Sequence, residues 1–131
     1  MLTLLALALA AQTAPTEPEG CRDPKRFGEV AEALKVELEA AWAAGARDGA
    51  QAAAGLDAAV ARYDPCYKSF AADQERRFEA RVQAAPEGER AAMRTRAGGW
   101  LDSMGNGHKV WRDQIVRNGD LVSPPPPMRS R

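Results

Sequence analysis

The chain has 131 residues, which is enough for one domain, and its 18 basic and 18 acidic side chains give a formal net charge of zero. A neutral chain has no general electrostatic attraction to nucleic acid, so we predict no nucleic-acid partner. Only 6% of the residues are aromatic, and the many alanines predict closely packed helices over a thin core. A core of this kind is weakly stabilising in so short a chain.

The chain opens with an uncharged apolar run. Residues 1–16 carry no charged side chain, and five of the first nine residues are leucine. The run and the small residues after it predict a secretory signal peptide over residues 1–14, cleaved after Ala10 or Ala14. The basic residue that usually precedes such a run is absent, and the alternative is an apolar N-terminal helix that stays on the protein. We predict no transmembrane span, because spanning a bilayer needs roughly 20 apolar residues.

Two segments with little helical character flank the predicted helical domain, which covers residues 23–122. Residues 15–22 are rich in Pro and Glu and predict a flexible lead. Residues 123–131 contain four consecutive prolines and predict a disordered, extended tail. With the signal peptide in front, this organisation predicts a periplasmic or secreted protein.

The only two cysteines are Cys21 and Cys66. In an exported chain, one pair of cysteines predicts a disulfide bond. Each cysteine adjoins an Asp-Pro pair, Asp23–Pro24 or Asp64–Pro65, of the kind that begins a helix. We therefore expect both cysteines at helix starts, where the bond would hold the starts of the first and third helices at one end of a bundle.

Four main helices are predicted from apolar residues spaced three and four apart. The first runs from Asp23 to a stop at Gly45, and the second from Asp48 to about Tyr63. The third begins at Pro65, which tends to break continuity with the second helix. The fourth begins at Pro86 and ends at the glycines of residues 105–107, after a weak point at Gly98 and Gly99.

The last element, residues 108–122, fits two structures. It predicts a short helix closed by Asn118–Gly119 or a hairpin that turns at the same dipeptide, and we favour the helix. The sequence as a whole predicts an all-α, up-down-up-down bundle of four main helices plus this short C-terminal element, with one disulfide.

The search for catalytic and metal-binding motifs gives no positive result. His108 is the only histidine, no Cys-x-x-Cys pair is present, and no glycine-rich phosphate loop is followed by Lys-Ser or Lys-Thr. We therefore predict no catalytic residue, no metal and no cofactor. We expect His108 near the surface, and a small enzyme that uses it remains the least favoured alternative.

Charge is distributed unevenly along the chain. Up to Asp64 there are 6 basic and 10 acidic residues, and from Pro65 onward there are 12 basic and 8 acidic ones. A basic face on the second half could bind an anionic surface, although Arg90 and Arg94 would also pair with acidic residues inside the bundle. The candidate binding residues are Arg90, Arg94, Arg96, His108, Lys109, Trp111 and Arg112.

Three functions are compatible with these sequence features. We favour a non-catalytic binding or structural module of the cell envelope with an unknown protein partner. Its expected contact surface is an exposed apolar patch around Trp111, Ile115 and Val116. The alternatives are a binder of anionic polymer or lipid headgroups, acting through the Arg-rich half, and the enzyme that uses His108.

Overall fold

The computed structural model describes residues 20–121, of which 87% are helical and none lies in a strand. A 3-10 turn at Gly20–Arg22 precedes five α-helices. They are α1 (Pro24–Ala44), α2 (Gly49–Ala84), α3 (Glu87–Ala97), α4 (Trp100–Gly105) and α5 (Gly107–Asn118). The predicted all-α bundle with four main helices and a short additional one is confirmed, and residues 107–118 form the helix rather than the hairpin.

Several sequence predictions concern residues outside the described part. They are the signal peptide of residues 1–14, the first part of the lead and the tail of residues 123–131. The end of the lead, Gly20–Arg22, forms the 3-10 turn and contacts both α1 and α2. Within residues 20–121, no helix has both the length and the apolar character needed to cross a bilayer.

Two of the three predicted aspartate caps, Asp23 and Asp48, are present, and the third is wrong because Asp64 lies inside α2. Asp23 accepts a hydrogen bond from a backbone N–H at the start of α1, with Pro24 at the first helical position. Asp48 does the same for two N–H groups of α2. Gly45 ends α1 as predicted, and a Cβ there would lie 2.6 Å from the backbone of Ala52. Glycine therefore permits the close approach of the chain between α1 and α2 to the first turns of α2.

The predicted helix break at Pro65 is wrong. α2 continues through Pro65 without interruption. Proline has no N–H to donate to the carbonyl of Ala61, but Ala61 and Pro65 both lie on the exposed side of α2, where water can reach that carbonyl. On the opposite side, Tyr63 and Cys66 are almost fully buried. Packing of the turns on both sides of Pro65 thus outweighs its local preference.

The chain makes three passes. α1 packs against the first half of α2, and α3, α4 and α5 together return along the full length of α2. The contacts of the returning helices follow an antiparallel order along α2: Arg94 with Glu79, Gly105 with Ala71, and Val116 with Gly49.

The hydrophobic core lies between α1, the first half of α2 and α5. One cluster contains most of the buried apolar residues, and Val82 is buried outside it. The members of the cluster are Cys21, Val30, Leu34, Leu38, Ala52, Leu56, Ala59, Tyr63, Cys66, Tyr67 and Ile115.

The predicted Cys21–Cys66 disulfide is present, with the two Cα atoms 5.3 Å apart. Both side chains are buried in the core cluster. The expected location of Cys66 at a helix start is wrong, because Cys66 lies in the middle of α2. The bond therefore fixes the start of α1 against the middle of a longer helix, and it does not align two helix starts.

Replacing Cys66 with Ser should lower the free energy of unfolding by about 4 kcal/mol, because the bond closes a loop with a sequence separation of 45. Urea unfolding with and without reductant measures this loss. Reductant should destabilise the native chain and leave the Cys66→Ser variant unchanged. Equal stability of the oxidised native chain and the variant would contradict the expectation.

Replacing Pro65 with Ala should raise the free energy of unfolding by about 1–3 kcal/mol, because it restores one helical hydrogen bond on an exposed face. Thermal and urea unfolding provide the measurement. Pro24→Ala is the matched control, since Pro24 occupies the first position of α1, where no N–H is needed. Destabilisation by Pro65→Ala would mean that α2 requires the proline.

Candidate functional site

A shallow open groove lies between α2 and α5, and we call it the α2–α5 groove. Its α2 wall uses positions spaced three, four and seven apart, and its α5 wall uses positions spaced three and four apart, so each wall is one helical face. The lining residues are Asp57, Val60, Ala61, Asp64, Lys109, Arg112 and Asp113.

Arg112 connects the two walls of the groove. Its Nε donates to Asp57 Oδ1 at 3.0 Å, and its Nη1 donates to Asp113 Oδ1 at 3.3 Å. Both carboxylates are more than half exposed, and Arg112 is 27% exposed. Ion pairs this close to water contribute little to stability. In the structure they bring one cation and two carboxylates together at the edge of the groove.

His108 lies beneath the groove and is fully buried, so the expectation of a surface histidine is wrong. Its Nε2–H donates to Asp64 Oδ1 at 2.7 Å, and Asp64 is 38% exposed. The imidazole stacks on the Tyr67 ring with centroids 4.4 Å apart. A Cβ on Gly107 would lie 3.3 Å from Tyr67, so glycine allows α5 to start close against α2. That approach carries His108 into the interior.

The surroundings of His108 favour its neutral form. An ionised carboxylate only accepts hydrogen bonds, so Nε2 carries the proton. Among residues 20–121, buried Nδ1 has no hydrogen-bond partner, so a proton there would find no acceptor among them. Burial lowers the pKa of His108 below its ordinary value of 6.5, Asp64 opposes this shift, and Lys109 and Lys68 add to it.

The predicted basic residues separate into two groups. Arg90, Arg94 and Arg96 lie on α3, away from the groove, whereas Lys109 and Arg112 line it. Arg90 donates to two backbone carbonyls at the end of α2, and Arg94 pairs with Glu79 at 3.1 Å. The internal ion pair considered for Arg94 is therefore present, and its partner, Glu79, lies on α2. Arg96 is exposed.

The predicted apolar patch on the last helix is wrong in two of its three residues. Ile115 is 1% exposed and belongs to the core, and Trp111 packs against that core. Val116 is 37% exposed. The patch is absent because α5 turns its apolar stripe inward between α1 and α2.

Sequence reasoning missed most of the residues that line the groove: Asp57, Val60, Ala61, Asp64 and Asp113. The sequence predicts Asp64 as a helix cap, and a cap side chain would be engaged by the backbone and unavailable to a site. The sequence signal for the α2 wall is the spacing of three, four and seven residues from Asp57 to Val60, Ala61 and Asp64, which places them on one helical face. It is visible only if α2 continues through Pro65, since a break there places Asp64 outside the helix.

The groove can make ionic and hydrogen-bonding contacts beside the apolar side chains of Val60 and Ala61 on its α2 wall. Within residues 20–121, no group of three His, Cys, Asp or Glu side chains is placed to hold a metal ion. The buried imidazole of His108 reaches the groove only through Asp64. This arrangement suits recognition of a polar ligand.

Comparison of the chain with protein-family models, with curated proteins and with solved structures found no significant match.

The stability of the protein should fall as the pH drops below about 6.5. The pKa of His108 is lower in the folded protein than in the unfolded chain, so the unfolded chain binds the proton first as the pH falls. Protonation therefore favours unfolding until the pH reaches the pKa of the folded His108 ring. Urea unfolding from roughly pH 8 to 5 measures the slope. In the His108→Gln variant, whose amide can also donate to Asp64, the part of the slope due to His108 should disappear. An identical slope in both proteins would contradict the assignment.

Proposed function

We propose that the protein is exported and acts in the periplasm or outside the cell as a non-catalytic binding or structural module of the cell envelope. The observation that carries the proposal is the α2–α5 groove, at whose edge Arg112 contacts a carboxylate from each wall. Binding sites that are already ordered lose little conformational entropy when a partner arrives.

The lining of the groove suggests the chemistry of the partner. Three carboxylates face two cations there, and the buried His108 is held neutral. The balance is slightly acidic, and the apolar side chains of Val60 and Ala61 lie among the charged ones. This surface fits a segment of another protein that carries basic or amide side chains next to a small apolar one.

The disulfide supports a location outside the cytoplasm. Cys21 and Cys66 form their bond inside the core cluster, and disulfides of this structural kind persist in oxidising compartments. The apolar run at the start of the sequence agrees with export. For protein recovered from the cell envelope, we expect an intact mass that lacks the first residues. Reduction should raise this mass by that of two hydrogens.

The two alternatives have less support. An anion-binding face would depend on arginines, but Arg94 and Arg112 already pair with carboxylates. Arg96 and Lys109 remain as exposed cations of the candidate set. An enzyme would need its imidazole to reach a substrate, and His108 is fully buried beneath Asp64.

A photo-crosslinking amino acid at Ala61, in the groove, should capture one discrete envelope protein in cells. Ala58 is the matched control, because it is exposed on the same helix outside the groove. Reversing a groove charge with Asp113→Lys should abolish the product formed at Ala61. Equal products at Ala58 and Ala61, or a product insensitive to Asp113→Lys, would contradict binding in the groove.

A further inference from the structure

The α2–α5 groove adjoins a second shallow depression on α5. This second depression is lined by Arg112, Asp113, Val116 and Arg117. The first two of these residues also line the groove, and the last two lie in the last turn of α5. The two depressions together therefore extend from the groove to the end of α5.

The chain leaves α5 at one end of this combined depression and turns back toward the body of the protein. Gly119 ends α5 in the left-handed conformation, with a φ of 77°. Two residues later, Leu121 packs against the core cluster. The last described residue is therefore held against the protein, close to the end of α5 and to the start of the combined depression.

The chain that follows Leu121 is long enough to reach the groove. Lys109, at the far end of the groove, lies about 14 Å from Asn118 along the axis of α5. Residues 122–131 include four consecutive prolines, and an extended proline-rich chain advances about 3.1 Å per residue. The stretch from Val122 to Arg129 would then span about 22 Å, which covers the distance with length to spare.

The order of residues in the tail complements the order of charges along the depression. The uncharged residues Pro124–Pro127 come first, and they would pass the cation of Arg117 without repulsion. Arg129 and Arg131 come later, with no acidic residue between positions 122 and 131. They would reach the far end of the groove, where Asp64 is 38% exposed. Among residues 20–121, no Lys or Arg side chain forms an ion pair with this carboxylate.

We infer that the tail of this chain occupies the α2–α5 groove. Its prolines lie against the apolar side chains of Val60 and Ala61, and Arg129 pairs with Asp64. A short tether holds such a segment at an effective concentration in the millimolar range, and prolines lose little conformational entropy on binding. A few weak contacts are therefore enough. The inference goes beyond the proposed partner, which would have to displace the tail.

Cysteine crosslinking in the full, oxidised chain tests this inference. The native cysteines are bonded and buried, so two introduced cysteines react with each other. Ala61→Cys with Met128→Cys should form an intramolecular disulfide at least about ten times faster than Ala40→Cys with Met128→Cys. Ala40 is the matched control, because it is exposed on α1 next to Ala41, which contacts Gly55. It therefore lies at nearly the same height along the bundle, on another face.

Charge reversal in the tail tests the proposed ion pair. Arg129→Glu should slow the crosslink between positions 61 and 128 by about two- to fivefold, the range expected for one exposed ion pair. Arg96→Glu is the matched control, since it reverses one exposed charge on α3, away from the groove. It should leave the rate unchanged, while circular dichroism reports whether each variant keeps its helices.

Three outcomes would overturn the inference. They are equal crosslinking rates at positions 61 and 40, a rate that Arg129→Glu does not change, and a disulfide-linked dimer in place of the intramolecular product. The dimer would mean that the tail binds the groove of a second copy. Photo-crosslinking at Ala61 in cells tests the envelope partner separately, so either proposal can fail while the other stands.

Discussion

The fold depends on the continuity of α2, because every other helix and the N-terminal turn pack against it. A proline in the interior of a helix removes one hydrogen bond, and α2 tolerates this loss because Pro65 is exposed while its neighbours Tyr63 and Cys66 are buried. If α2 ended at that point, Asp64 would leave the face it shares with Asp57. The groove and the partner of His108 both exist because the helix continues.

The sequence predicts the class of the fold and most of its helix ends. Asp23 and Asp48 act as caps, Gly45 ends α1, and the two cysteines are bonded, because each of these features depends on neighbouring residues or on a simple pairing. The wrong boundary at Pro65 has a different origin. Local preference favoured a break, and the packing that overrides it involves residues far away in the chain, which no local pattern reports.

The groove was harder to predict than the fold. Its walls come from α2 and α5, and their juxtaposition depends on how α3, α4 and α5 return along α2. His108 illustrates the difficulty, because glycines beside a histidine usually indicate an exposed loop. Here Gly107 instead allows close contact with Tyr67, and the ring is buried. The spacing of residues along α5 is visible in the sequence, but the helix that it faces is not.

The uneven distribution of buried side chains has a consequence for the motions of the folded protein. Backbone amides exchange with solvent through local opening, and opening is easiest where few apolar contacts are broken. The end of the molecule that contains α1 buries Leu34, Leu38 and Leu56 completely, whereas the far end encloses Val82 alone. We therefore expect the backbone amides of the hairpin at the far end to exchange faster with solvent than those of the disulfide-linked end.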